Sequence, residues 1–153
     1  MSVAISPAQK HDLPAVARVI ASAMVEDEVI AAIMPGERNR LARLTRLLLS
    51  ELRIGPFAGG VIDVARQDSD KVILGAAAWE RPSHKASTWA ELRELPQLAA
   101  SIGVGNLRTA LRLFHVFEVH RPAQPHWVPN SCRRRPRGTR TRGGFEADAS
   151  SAV

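Results

Sequence analysis

Val3 and Ile5 alternate with small or polar neighbours ahead of Ser6-Pro7, a period of two that predicts a short opening strand closed by a turn. The period then changes. Leu13, Val16, Ala17, Ile20, Ala23 and Met24 recur at helical spacing behind Asp12, which is placed to cap that helix. The acidic run Glu26-Asp27-Glu28 interrupts the stripe, a second apolar turn follows through Val29, Ile30 and Ile33, and Pro35-Gly36 stops it. Glu37 to Ile54 predicts the clearest helix of the chain. Leu41, Leu44, Leu47, Leu48 and Leu52 share its inward side, and Arg38, Arg40, Arg43, Arg46 and Arg53 fall largely outward.

Gly55-Pro56 and Gly59-Gly60 punctuate, and Val61 to Ala65 and Val72 to Trp79 then read as two strands of a hairpin around the polar turn Gln67-Asp68-Ser69-Asp70. Pro82 to Lys85 reads as a loop and Trp89 to Leu98 as a short helix damaged by Pro96. Asn106 to Val119 predicts a helix with Leu107, Leu111, Phe114 and Phe117 on one side, ended by His120-Arg121-Pro122. After Trp127 the pattern is lost: Val128 to Val153 has Phe145 as its only aromatic residue and no strand or helix periodicity. Such a segment buries too little to offset its ordering entropy. The expected organisation is a partial α/β (α+β) domain over residues 1–127, a mixed sheet with flanking helices, and a disordered basic tail over 128–153.

Composition changes this picture little. The 153 residues contain no internal repeat and suffice for one domain. No run of about 18 apolar residues exists, and Met1 to Lys10 lacks a basic region followed by an apolar core, so neither membrane spanning nor secretion is expected and the cytoplasm is the expected location. The single cysteine, Cys132, excludes an intrachain disulfide and a cysteine-based zinc site. Charge is lopsided: of the net +6, +4 lies after Trp127, where Arg133, Arg134, Arg135, Arg137, Arg140 and Arg142 face only Glu146 and Asp148. The body is nearly neutral, and no aromatic residue is interleaved with the arginines to stack bases, so neither nucleic acid nor membrane is the expected partner.

Three pieces, taken in order, carry a family resemblance. Ala4-Ile5-Ser6-Pro7-Ala8 with Asp12-Leu13-Pro14-Ala15-Val16, then Val72-Ile73-Leu74-Gly75-Ala76-Ala77-Ala78-Trp79, then Pro125-His126-Trp127 resemble the first strand and helix, the third strand and the entry to the fourth strand of the GNAT superfamily of N-acetyltransferases. The resemblance covers about the first four fifths of the chain and implies transfer of an acetyl group from acetyl-CoA to an amine on a small molecule or peptide. In that family a loop of the type Gln or Arg, two residues, Gly, one residue, Gly or Ala follows the fourth strand and opens a helix. Its free amides hold the pyrophosphate of acetyl-CoA. Arg135-Pro136-Arg137-Gly138 does not supply it, because Pro136 removes a donor and no helical pattern follows. No cofactor-binding residue is therefore assigned, and the chain is expected to be a remnant without competent acetyl-CoA binding.

The genetic code suggests why the loop is missing. Codons for Val128-Pro129, read one base late, can give Tyr-Leu, as the family's fourth strand usually continues. Thr139 to Gly144 can likewise give Arg-Gly-Arg-Gly-Val-Gly, and Phe145 to Asp148 can give Ser-Lys-Leu-Met. A single-base slip near Trp127 would account for all three.

The resemblance places Glu26 and Asp27, with Glu28, at the acceptor-facing edge between the first helices, where they would attract an amine, although a solvated acidic turn is the commoner use of such a run. Trp127 falls at the mouth of the broken strand and is expected to be partly exposed near substrate. No catalytic base stands out. His115 and His120 are five apart and share no helix face as metal ligands; His11, His84 and His126 have no evident partner, and no metal is expected. Ser131-Cys132 lacks a scaffold for nucleophilic chemistry. A sheet ending at its fourth strand would leave an unpaired edge, so self-association of the isolated chain is expected.

Overall fold

The computed structural model describes residues 3–67, 72–81, 84, 87–120 and 128–134. β1 (Val3–Pro7) leads through one 3-10 turn into α1 (Leu13–Met24). Asp12 stands at the N-cap position, as expected, but its carboxylate turns back to accept the Gln9 N–H at 2.7 Å and fixes the entry turn instead of capping the helix. α2 (Glu28–Ile33) follows, and then α3 (Arg40–Ile54). The latter starts later than the spacing predicts. Gly36 and Asn39 take positive φ, 85° and 62°, and a helix cannot run through that turn.

One turn, α4 (Pro56–Gly59), delivers the chain into the hairpin of β2 (Gly60–Gln67) and β3 (Ile73–Glu80). Val61 lies opposite Trp79 and Val64 opposite Ala76, and Leu74 is bulged out where the register shifts. Gly60 is required here, because a Cβ would overlap the Trp79 carbonyl oxygen. α5 (Thr88–Ile102) then continues through Pro96, longer at its C-terminal end than the damaged helix expected to end at Leu98. Packing overrides the lost N–H: Ser50 Oγ donates to Glu94 Oε2 at 2.6 Å, and Arg43 donates to the carbonyls of Ser101 (2.8 Å) and Ile102 (2.6 Å), tying α5 to α3 on both sides of Pro96. Gly103, at φ 88°, ends α5, and α6 (Leu107–Val119) begins one residue later than the sequence suggests.

The boundary expected at Trp127 fails for the next seven residues. β4 (Val128–Arg134) pairs antiparallel with β3 and completes a sheet of order β1-β2-β3-β4, all neighbours antiparallel. The physical reason is that ladder hydrogen bonds come from the backbone; a strand added at the edge of Ala-rich β3 needs no apolar alternation of its own. Residues 135–153 lie outside the described residues.

α1 and α3 cover one face of the sheet. Leu13, Val16, Ala17 and Ile20 of α1 and Leu52 of α3 close on Ile62, Val64, Ile73, Ala76 and Ala78. A second cluster is purely helical, with Ala21, Ile30, Ile33, Met34, Leu44, Leu47, Ile102 and Ala110. On the opposite face of β2 and β3, Val61, Asp63, Leu74, Ala77 and Trp79 are exposed or half-buried. Among the described residues no helix is long and apolar enough to cross a membrane.

Candidate functional site

Polar groups gather at one end of β3, where Glu80 lies opposite Val128, the first residue of β4. Between the pairs Ala78–Ser131 and Trp79–Pro129 the register slips, which leaves Asn130 as a bulge in β4. Bulges re-aim the backbone next to binding sites, and here the bulge sits on a strand whose other edge pairs with nothing among the described residues. The Glu80 carboxylate lies over Gly55, so close that a Cβ there would stand 3.0 Å from Oε1. Glu51, one turn earlier on α3, shares this corner. His84 presses its ring on Gly59, and its Nε2 is buried with no hydrogen-bond partner.

Burial, reinforced by the like charge of Glu80, raises the Glu51 carboxyl above its ordinary value. A raised carboxyl reverses the usual sign: its share of stability is full below the unfolded value of about 4.3 and is lost as pH rises through the folded one. Glu51→Gln is therefore expected to stabilise the fold at neutral pH by about 1 kcal/mol, roughly 2–4 °C in Tm, and to give no gain near pH 4. Thermal melts at the two pH values check this; an equal shift at both would mean that charge is not the cause.

The residues singled out in the sequence are not brought to this corner. Glu26 and Asp27, in the turn between α1 and α2, and Glu28, the first residue of α2, are exposed. Asp27 is committed to structure, its Oδ1 accepting the N–H groups of Val29 (2.9 Å) and Ile30 (3.3 Å) as the cap of α2. Among the described residues no side-chain hydrogen bond or ion pair joins that turn to Glu51 or Glu80. Trp127 lies outside the described residues, though its neighbour Val128 begins the strand opposite Glu80. Sequence reasoning missed Glu51, Glu80 and His84. The one available signal was Glu51 itself, a carboxylate directly before the inward Leu52.

Open clefts among the described residues lie elsewhere. One of about 660 Å³ runs along β1 and β2 past Ser6, His11 and Arg66, and its arginine is already taken by Asp12 at 2.6 Å. Another, about 550 Å³, separates α1 from the start of α3 beside Arg18 and Arg46. No group of three or more His, Cys, Asp or Glu among the described residues is placed to hold a metal ion.

No family model matches the chain, and no curated protein does. Among solved structures it is similar to one described as histone acetyltransferase HPA2 and related acetyltransferase from Corynebacterium glutamicum, with a TM-score of 0.61 and 24% identity. The match covers 88% of this chain and 61% of that one, so the chain spans less than two thirds of the structure it resembles. At that identity the likeness speaks for architecture, and the architecture agrees with the order of strands and helices described above: the chain carries a partial GNAT-like fold.

Proposed function

We propose that this chain derives from an N-acetyltransferase that moves an acetyl group from acetyl-CoA to an amine, and that as written it does not hold acetyl-CoA competently. The observation that carries the reading is an acetyltransferase-like sheet whose fourth strand is bulged at Asn130 and pairs along its outer edge with nothing among the described residues. Such an edge offers backbone N–H groups able to polarise a thioester carbonyl as negative charge develops on it. The nearby Glu51, its carboxyl raised by burial, is the described group best suited to take a proton from an incoming amine. Glu26 and Glu28, exposed and free of the capping duty of Asp27, would attract a cationic amine on a small molecule or peptide. The case against competence rests on sequence: nothing after β4 reads as a glycine loop opening a helix.

Calorimetric titration of acetyl-CoA tests both halves. The chain as written is expected to give no binding heat, whereas a chain re-encoded with one base removed after the Trp127 codon is expected to bind. Binding by the chain as written overturns the loss of competence; silence from both overturns the acetyltransferase reading. The alternative is a small basic protein that binds nucleic acid through its tail. β4 takes Arg133 and Arg134 into the sheet and leaves it Arg135, Arg137, Arg140 and Arg142. Salt-dependent oligonucleotide binding, abolished by replacing those four, would favour it.

A further inference from the structure

α5 is turned inside out. Its polar side chains Glu94 and Gln97 face α3, Glu94 accepting from Ser50 and Gln97 donating to the Arg46 carbonyl, while Trp89, Leu92 and Leu95 look outward at 80%, 54% and 51% exposure. A surface helix of a monomer does the reverse. α6 continues the anomaly: Ala110 is buried in the helical cluster, yet Leu111, Phe114 and Phe117 are 60%, 42% and 55% exposed.

From this inverted face the geometry points to a homodimer, with α5 of one copy packed on α5 of a second. The area fits that occupant. With an aromatic side chain offering roughly 150–250 Å², the three α5 residues present roughly 400 Å² of apolar surface and the three on α6 a comparable area. The α5 stripe alone matches the patch of a few hundred Å² that a typical monomer leaves open, and α6, in contact with α5, adds apolar surface towards the ~800 Å² per partner of a stable interface. The charges fit as well. At about 100° per residue, Glu91 and Arg93 fall on opposite flanks of the Trp89–Leu92–Leu95 stripe, and both are exposed. A two-fold axis parallel to α5 sets the Glu91 of each copy beside the partner subunit's Arg93 while the stripes meet between them. Edge-to-edge pairing through β4 would bury none of these residues.

Sedimentation of the full chain over a concentration series decides the matter. A defined dimer is expected. Leu92→Glu should raise its dissociation constant at least roughly tenfold with an unchanged far-UV circular dichroism spectrum, since an exposed position carries no folding role. Glu91→Arg should weaken the dimer, and adding Arg93→Glu should restore it. A monomer at every concentration overturns the proposal, as do open-ended aggregates or a dimer indifferent to these substitutions. Trp89→Ser, also fully outward, provides a second variant should Leu92→Glu fail to fold.

Discussion

Arg66→Met is expected to destabilise the fold by about 3–5 kcal/mol, because it strands a buried carboxylate. The Asp12 side chain is only 5% exposed, and Arg66 Nη2 meets its Oδ2 at 2.6 Å, joining the start of α1 to β2. Once the guanidinium is gone, the Gln9 N–H and the exposed His11 ring, 3.4 Å away, are its remaining described partners. The pH dependence has a definite sign. Burial alone would raise the Asp12 carboxyl; the Gln9 N–H, Arg66 and His11 together outweigh burial and leave it lowered. A lowered carboxyl contributes stability above the unfolded value of about 3.9, and loses it as pH falls through the folded value. Urea unfolding at neutral pH should show the loss in full, and the gap between wild type and variant should narrow in acid. A gap that persists below the folded value would trace the cost to packing of the arginine stem and not to the ion pair.

Leu44→Ala should cost about 2–5 kcal/mol, and Leu41→Ala on the same helix less than about 1 kcal/mol. Leu44 is fully buried in the cluster with Ala21, Met34, Ile102 and Ala110, where removing its branch opens a cavity among α1, α3, α5 and α6; Leu41 is 39% exposed and opens none. The helical spacing alone puts both leucines inward. Denaturant midpoints for the pair separate the two views, and equal losses would mean that α3 is rotated from its described position.

That contrast shows what the chain makes legible. Strong periodicity located α1, α3 and α6 to within a few residues, and the alternation of Val61 to Ala65 with the Ala-rich run to Trp79 found the hairpin. Errors came where tertiary contact outweighed local pattern. Pro96 was expected to damage a short helix from Trp89 to Leu98, but α3 holds α5 on both sides of it and the helix runs on to Ile102. Val128 to Arg134 looked structureless, but a neighbouring edge supplied its hydrogen bonds. The candidate site was less legible still. Asp27 advertised an amine-attracting acid and proved to be a cap, while Glu51 and Glu80 come together only because α3 ends where β3 ends, 29 positions apart in sequence.

β4 also has a place in time. Synthesis runs from the N-terminus, and the β2–β3 hairpin, whose strands are close in sequence, can form as soon as its residues are available. β4 is separated from its partner by the whole of α5 and α6, so its loop closes late and at greater entropic cost. Until it docks, β3 is an unguarded sheet edge rich in alanine, open to any passing strand. The same strand that presents the bulge at Asn130 thus covers the alanine-rich edge last, and a nascent chain halted within α6 keeps that edge exposed for as long as the halt lasts.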